Sequence, residues 1–198
     1  MKTRIAVFVS GGGTNLQALI DAAARGELPS GELALVLSSS EKAYALQRAA
    51  TAGIPTAVVR SKEPEHEKKI LQTLEAHGID MIVLAGYMSI LSADFTARFP
   101  DRILNVHPSL IPSFCGKGYY GLRVHEEALK RGVKVTGATV HFVNEIPDGG
   151  EILLQKAVEV QPGDTPETLQ RRVMQEAEWK LLPQATETVA KRIKEEKQ

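Results

Sequence analysis

The sequence predicts an α/β protein with a doubly wound, mostly parallel sheet, an antiparallel C-terminal strand pair and a long C-terminal helix. Short β-branched runs alternate with helical patterns along the N-terminal half, which is the rhythm of repeated βαβ units. The runs are apolar almost throughout, as expected where helices cover both faces of a parallel sheet. The pattern changes after Gly121, where two longer strands precede the last helix.

The N-terminal half alternates predicted strands and helices, assigned from the spacing of the apolar residues. The strands are Ile5–Ser10, Leu33–Ser38, Thr56–Val59, Met81–Ala85 and Ile103–His107. The helices between them are Leu16–Arg25, Ala43–Ala52, Pro64–His77 and Ser92–Arg98.

The C-terminal half is predicted to begin with a short helix, Val124–Arg131. Two strands follow, Gly137–Asn144 and Ile152–Val160, joined by the turn EIPDGG. A long helix then begins at Thr165, a typical N-cap residue that precedes a proline, and extends into the charged tail. We find no repeat and no domain boundary, so residues 1–198 are expected to form a single domain.

The composition limits the classes of partner. Hydrophobic residues make up 43% of the 198 residues and charged residues 24%, as in ordinary globular domains. Lys+Arg and Asp+Glu are both 24, so no global basic field is present to hold nucleic acid. The apolar run Ile5–Val9 is too short for a signal peptide or a membrane span. We therefore expect a cytoplasmic protein without a membrane partner; the sequence is compatible with a homodimer but does not fix the oligomeric state.

A glycine-rich turn follows the first strand, in VFVSGGGTNLQALI. In a strand–turn–helix of this kind, backbone N–H groups converge on the positive end of the helix and favour an anion. Gly12 and Gly13 let the backbone approach that anion closely, and Thr14 and Asn15 add side-chain donors. The pattern predicts a phosphate site, although a purely structural turn remains an alternative.

The turn differs from the common nucleotide motifs. No Gly-Lys-Ser/Thr follows, as a Walker A loop requires, and Leu16 stands where the dinucleotide fingerprint has its third glycine. The second strand ends in serines rather than in the acid that holds a ribose hydroxyl. A phosphate monoester therefore fits better than NAD.

A second group of polar residues lies at the end of the fifth predicted strand. Asn105 and His107 are two residues apart and therefore face the same way, at the carboxyl edge where open α/β sheets bind ligands. An amide and an imidazole together can donate hydrogen bonds to a developing oxyanion, and the imidazole can also move protons. Asp148, in PDGG, is the carboxylate we expect to sustain the imidazolium. Structural roles for His107 and Asp148 remain alternatives at this point.

Other catalytic arrangements find less support. Ser109 is not in a nucleophile elbow, and Cys115 has no adjacent base. No HExxH motif or cysteine–histidine cluster is present, so no metal is expected. His141, in TVHFV, is predicted to have a packing role, and nothing local places His125 at the site.

Five segments together resemble one enzyme family. SGGGTNLQALI, VLAGYMSIL, NVHPSLIPSF, GATVHFV and DGGEILLQ are similar to the phosphoribosylglycinamide formyltransferases, in order and at suitable spacing, over nearly the whole chain. The resemblance implies the Rossmann-like formyltransferase fold. It also implies that the amine of 5-phosphoribosylglycinamide attacks the formyl carbon of 10-formyltetrahydrofolate, without a metal, in de novo purine synthesis. The N-terminal half, about 1–100, would bind phosphate, and the rest, about 101–198, would carry the catalytic and folate-binding residues.

The resemblance assigns roles to individual positions. Gly13, Thr14 and Asn15 match phosphate-binding positions, Asn105 and His107 the catalytic pair, and Asp148 the acid beside it. Glu178, five residues before Pro183, matches a glutamate that holds the glycinamide amine. The folate-binding positions are Leu84, Tyr87, Met88, Ser89, Ile90, Leu91, Asn105, Asn144 and Glu145.

Three features depart from the family pattern. Ser89 stands where many members have a basic residue, and only Arg60 or Lys62 offers a contact for the glutamate tail of the folate. The loop Ser113–Gly121 is longer and richer in glycine than usual. We interpret it as a flap that keeps water from the formyl donor.

Three other functions fit the sequence less well. A formyltetrahydrofolate hydrolase would share the catalytic half but usually carries an N-terminal regulatory domain, and water as acceptor leaves the phosphate turn without a purpose. A methionyl-tRNA formyltransferase would need an RNA-binding domain for which a 198-residue chain has no room. A non-catalytic nucleotide-binding module would keep the turn but has no reason to combine Asn105, His107 and Asp148.

Overall fold

The computed structural model describes residues 1–197 and contains one mixed sheet of seven strands in the order β3-β2-β1-β4-β5-β6-β7. The strands are β1 Thr3–Val9, β2 Gly31–Ser38, β3 Thr56–Val58, β4 Met81–Leu84, β5 Ile103–His107, β6 Val135–Phe142 and β7 Ile152–Glu159. The helices are α1 Thr14–Ala24, α2 Ala45–Thr51, α3 His66–Ala76, α4 Ala93–Thr96, α5 Leu122–Arg131, α6 Pro166–Val173 and α7 Trp179–Glu196.

The sheet has the predicted pairing. β1 to β5 are parallel to one another, and β6 pairs antiparallel with both β5 and β7. The predicted fold class is therefore confirmed. The bounds of β5 are those predicted, whereas β1, β2 and β6 begin two residues earlier than their apolar runs indicate. Two of the extra residues, Thr3 and Thr136, are polar but buried, and apolar periodicity does not detect them.

Helices cover the two faces of the sheet to different extents. One face packs against α1, α2, α6 and α7, through buried residues such as Leu16, Ala45, Leu169 and Leu182. The other face packs against α3 and α4, through Ile70, Leu74 and Phe95. The apolar residues of β1, β4 and β5 alternate between these two cores, as expected for strands that are buried on both faces.

The chain reverses direction across the sheet between β1 and β4. β1 is followed by β2 and β3 on one side, and β4 and β5 lie on the other. In open α/β sheets, ligands bind in the crevice that such a reversal opens at the carboxyl ends of the strands. The glycine turn after β1, the segment after β4 and the pair at the end of β5 all lie at this edge.

The last helix differs from the prediction. A single α-helix was expected from Thr165, but a π turn, Met174–Glu178, separates α6 from α7. The start agrees, since Thr165 forms a capping box with Thr168. Apolar spacing carries no mark of one wider turn, and Pro183 lies inside α7, where it cannot donate the usual helical hydrogen bond.

Within residues 1–197, no helix is both long enough and apolar enough to cross a membrane.

Gly13 sets how closely the glycine turn packs against α2, and it generates a prediction about stability. Its φ is 71°, and a Cβ there would lie 2.6 Å from the Ala45 Cβ. We expect Gly13→Ala to lower the free energy of unfolding by about 1–3 kcal/mol, measured by chemical denaturation. Gly26→Ala is the matched control, because its φ is 76° but nothing lies within 4 Å of its Cβ position. Equal losses in the two variants would show that backbone strain alone matters.

Candidate active site

The turn Gly11–Gly13 joins β1 to α1 and leaves the start of the helix open. Gly13 is the N-cap of α1, no side chain caps the helix, and its first turn contains no acidic residue. Nothing lies within 4 Å of the Cβ positions of Gly11 and Gly12. The N–H groups of an 11-residue helix therefore face open space beside Thr14 and Asn15, an arrangement suited to an anion.

A cavity of about 330 Å³ opens beside this turn. It is lined by Thr14, Gln17, Ala18, Asp21, Arg25, Arg48, Gln175, Trp179 and Lys180. Arg48 also fixes the turn itself, because its Nε donates to the Gly12 carbonyl at 2.8 Å. Arg48, Gln175 and Lys180 were not predicted from the sequence, since they lie on helices distant in sequence and only the fold brings them to the turn.

Asn15 and Glu178 form a buried polar pair next to the turn. The Asn15 Nδ2 donates to the Glu178 Oε2 at 2.8 Å. Among residues 1–197, the buried Asn15 Oδ1 and Glu178 Oε1 have no hydrogen-bond partner. Burial raises the pKa of Glu178 to about 7, against the lowering effect of the Asn15 amide. Two orphaned acceptors in one place suit a ligand that donates hydrogen bonds.

A second polar cluster lies at the end of β5. Asn105 and His107 project from the same face of the strand, and Asp148 approaches them from the turn after β6. The His107 Nδ1 lies 3.5 Å from the Asp148 Oδ2, and the Asn105 Nδ2 lies 3.5 Å from the Asp148 Oδ1. The three residues combined in the sequence analysis are therefore neighbours in the structure.

His141 is a fourth member of this cluster, and it is buried as a packing role predicts but also makes polar contacts. It pairs with Asn105 across the β5–β6 ladder. Its Nε2 lies 3.1 Å from the Asn105 Nδ2 and 3.5 Å from the Asp148 Oδ1. The signal was the antiparallel register of β6, which the alternation within TVHFV does not specify.

In this cluster, burial and the neighbouring charges have opposite effects on the pKa values of Asp148 and His107. Burial opposes ionisation of Asp148, but His141, His107 and the Gly116 N–H together hold the pKa of its carboxyl below the ordinary value. Burial lowers the pKa of His107, while Asp148 and the Phe114 carbonyl act to raise it. Asp148 thus remains ionised at neutral pH, and His107 gains a proton most easily when its partners stay in contact.

The turn that carries Asp148 has a tightly constrained backbone. Asp148 has a φ of 55°, in the left-handed region that few residues other than glycine adopt. The Asn144 Oδ1 accepts from the Ile146 N–H at 2.9 Å and closes the turn. A Cβ on Gly150 would lie 1.8 Å from the Phe142 carbonyl oxygen. The backbone after β6 must therefore pass close to the sheet before β7 begins.

The flap, Ser113–Gly121, contacts the cluster through its backbone. The His107 Nε2 lies 2.8 Å from the Phe114 carbonyl oxygen. The Gly116 N–H donates to the Asp148 Oδ2 at 2.8 Å. Cys115 lies between them, and burial together with the charge of Asp148 raises the pKa of its thiol, so it is not an activated nucleophile.

The segment after β4 lies beside the cluster because Leu84 pairs with Asn105. Tyr87 packs edge-on against Phe8, and the Met88 N–H donates to the Ser10 Oγ at 2.9 Å. Leu84 and Leu91 are buried, Ser89 is half-buried, and Met88 and Ile90 are exposed. An apolar surface therefore borders the crevice. Asn144 and Glu145 lie on the turn that carries Asp148.

The remaining candidates are less closely connected to the site. Arg60 is exposed and paired with Glu41 and Glu63. His125 is fully buried on α5, with neither ring nitrogen hydrogen-bonded within the described chain. Its burial, together with the charge of His107, lowers its pKa to about 4. Residues 1–197 contain no cluster of three or more His, Cys, Asp and Glu side chains that could hold a metal.

The arrangement suits addition to a carbonyl. An amide donor, an imidazole and an ionised carboxylate converge at the end of β5, where they can stabilise an oxyanion and move a proton. The helix N-terminus and the cavity with Arg48 and Lys180 lie at the end of β1. Since β4 separates β1 from β5, the two places are roughly 10 Å apart across the sheet.

Comparisons with known proteins agree with this geometry. The family model described as Formyl transferase matches residues 3–186. The chain is 44% identical to phosphoribosylglycinamide formyltransferase of Haemophilus influenzae, covering 91% of this chain and 84% of that protein. It is 46% identical to the human trifunctional purine biosynthetic protein adenosine-3, covering 96% of this chain but only 18% of the human protein. The crystal structure of phosphoribosylglycinamide formyltransferase from Brucella melitensis superimposes with a TM-score of 0.86, at 43% identity and 96% coverage of both chains.

The chain thus spans less than a fifth of the length of the human protein and most of the length of the bacterial ones.

The buried carboxyl of Glu178 generates a prediction about pH and stability. Its pKa is about 7 in the fold, above the ordinary 4.5, so the neutral form is favoured by folding. The destabilisation is absent below about pH 4.5, grows as the pH rises and is complete above about pH 7. We expect Glu178→Gln to be more stable than the parent by roughly 3 kcal/mol at pH 8, and equal to it near pH 4.

Urea unfolding at several pH values measures this difference. Glu176→Gln is the control, because Glu176 is an exposed residue of the same π turn and should change little at any pH. A Glu178→Gln variant that is less stable at pH 8 than at pH 4, relative to the parent, would contradict the raised pKa.

Proposed function

The chain belongs to the formyl transferase family, and from this premise we propose that it transfers the formyl group of 10-formyltetrahydrofolate to the amine of 5-phosphoribosylglycinamide. The products are the N-formyl glycinamide ribonucleotide and tetrahydrofolate, in de novo purine synthesis. The similarity to phosphoribosylglycinamide formyltransferases, expected from five sequence motifs, is confirmed. The observation that carries the proposal is the Asn105–His107–Asp148 cluster two strands away from an open helix N-terminus.

The phosphate of the acceptor binds at the glycine turn. The α1 N–H groups next to Gly12 and Gly13, with Thr14 and Asn15, surround it, and Lys180 at the edge of the cavity adds positive charge. A phosphorylated pentose with a short amide substituent then extends across β4 toward β5. No similar purpose for the turn exists if water is the acceptor.

Glu178 and Asn15 hold the glycinamide part. When Glu178 is ionised, their two orphaned oxygens are both acceptors, and an amine has the complementary N–H groups. An amine in contact with Glu178 favours the ionised carboxylate. Binding of the acceptor is therefore accompanied by loss of the proton that a pKa of about 7 leaves on part of the Glu178 population at neutral pH.

The formyl donor lies along the segment after β4. Leu84, Tyr87 and Met88–Leu91 border the crevice, and Asn144 and Glu145 approach it from the turn that carries Asp148. Exposed Met88 and Ile90 suit the flat apolar surface of a pterin and its aryl extension. Ser89 brings no positive charge, and Arg60 is already paired with two acids, so we expect the glutamate tail of the folate to contribute little to affinity.

The chemical step follows from the cluster. The amine nitrogen forms a bond to the formyl carbon, and the formyl oxygen becomes negative. The N–H groups of Asn105 and protonated His107 stabilise that oxygen. Asp148 favours the imidazolium, and as an ionised carboxylate it takes up the proton that the amine loses and returns it to the leaving nitrogen of the folate. The C–N bond to the folate then breaks.

Residues 1–198 act as one domain in this proposal, with phosphate binding in about 1–100 and catalysis and folate binding in about 101–198. We place the protein in the cytoplasm, where the charged folate and the phosphorylated acceptor occur together.

The first test is a turnover assay. We expect purified protein to convert 10-formyltetrahydrofolate to tetrahydrofolate, followed by absorbance, only when 5-phosphoribosylglycinamide is present. The reaction contains a chelator and neither ATP nor added metal. Turnover at the same rate without the acceptor would identify a hydrolase instead, and binding of both ligands without turnover would identify a non-catalytic module.

Variants of the cluster test the catalytic assignments. We expect His107→Ala and Asp148→Asn each to lower kcat by about 10²–10⁴-fold, because each removes stabilisation and proton transfer in the transition state. KM for the acceptor should change much less. His66→Ala on α3 and Asp94→Asn on α4 are controls away from the cluster. A His107→Ala enzyme with near-normal kcat would refute the role of the imidazole.

A further inference from the structure

The backbone of the flap forms hydrogen bonds with both His107 and Asp148. The Phe114 carbonyl oxygen lies 2.8 Å from the His107 Nε2, and the Gly116 N–H donates to the Asp148 Oδ2, also at 2.8 Å. The same two atoms are the ones that must meet the formyl oxygen and the attacking N–H in the proposed reaction. A peptide backbone offers a carbonyl and an N–H, which are also the groups of the formyl amide that the reaction produces.

From this substitution we propose that the Phe114–Gly116 backbone is a specificity-determining element that caps the His107–Asp148 pair until the amine acceptor displaces it. The proposal rests on the proposed transfer reaction. With the cap in place, the formyl oxygen of a bound donor cannot reach the His107 Nε2, and the donor is not activated toward water.

The acceptor can displace the cap, whereas water cannot. The phosphate of the acceptor is held at the glycine turn, away from the reacting atoms, and that binding energy is available to move the flap. Formyl oxygen and amine N–H then replace one carbonyl and one N–H of the flap, so the number of hydrogen bonds in the cluster is conserved. A water molecule brings no remote binding energy.

The backbone conformation of the flap favours its displacement by the substrates. Phe114 has a φ of 49°, a strained conformation for a residue with a side chain, and Gly116, Gly118 and Gly121 also have positive φ. The base of the flap is fixed, because the buried Ser109 Oγ donates to the Ser113 carbonyl at 2.5 Å. Movement beyond Ser113 therefore releases the pair without disturbing the end of β5.

The reaction that the cap suppresses is hydrolysis of the donor. The oxygen of water would bond to the formyl carbon, the bond from that carbon to the folate nitrogen would break, and one proton of water would pass to that nitrogen. The products are formate with a released proton, and tetrahydrofolate. No oxidant, reductant or further reactant is needed.

The test removes one contact of the cap. Gly116→Pro lacks the N–H that binds Asp148. Gly118→Pro is the matched control, because Gly118 is in the same flap, has a φ of 92° and makes no hydrogen bond to Asp148 in the described chain. Formate and tetrahydrofolate are measured with 10-formyltetrahydrofolate alone and with 5-phosphoribosylglycinamide added.

We expect Gly116→Pro to raise acceptor-independent hydrolysis about tenfold or more over the parent and over Gly118→Pro, the change that one hydrogen bond to a charged group converts to. Gly116→Ala, which keeps the N–H, should remain closer to the parent. Thermal unfolding checks that the variants are folded. Equal hydrolysis in Gly116→Pro and Gly118→Pro, or no increase in either, overturns the proposal.

The outcomes separate this proposal from the proposed function. Transfer by the parent with unchanged hydrolysis in Gly116→Pro refutes the cap alone. A parent that does not formylate the glycinamide refutes the transfer reaction, and with it the acceptor that displaces the cap, whatever the flap variants do.

Discussion

The antiparallel register between β5 and β6 is the constraint on which the candidate site depends. It places His141 opposite Asn105 and sends the chain into the turn that returns Asp148 to His107. A shift of one residue would turn His141 toward the core face of the sheet and turn Val140 and Ala138 away from that core. The parallel strands supply the edge and the crevice, but only the reversed strand completes the polar cluster.

Two carboxyls near the crevice, the half-buried Asp148 and the buried Glu178, are held in opposite states by their surroundings. Asp148 is surrounded by donors, from His141, His107 and the Gly116 N–H, and these outweigh burial. Glu178 has one donor, Asn15, and burial prevails. One fold thus supplies an anion beside the imidazole and a carboxyl that is partly neutral near pH 7 beside the phosphate turn, the separation of acid and base roles that reactions involving proton transfer require.

Local patterns were sufficient for much of the fold and for part of the site. Strands β3, β4 and β5 were predicted almost to the residue, since apolar runs mark them, and the i, i+2 spacing of Asn105 and His107 placed both on one face. His141 needed the strand register, and the flap contacts needed backbone conformations such as the φ of Phe114, which no spacing rule supplies. Glu178 came only from the family resemblance, because on its own it reads as an exposed helix charge rather than a buried partner of Asn15.

The π turn between α6 and α7 constrains the number of residues in the C-terminal helix. α6 is anchored at Thr165 by its capping box, and α7 is anchored along the sheet by residues such as Leu182, Val189 and Ile193. The wider turn absorbs one residue between these anchors and turns Glu178 toward Asn15. An α-helix advances by about 100° per residue, so a chain one residue shorter here would direct that carboxyl away from the crevice while every packed face stayed in phase. A deletion of one residue in the π turn is therefore compatible with the packing of α6 and α7 but not with the contact between Glu178 and Asn15.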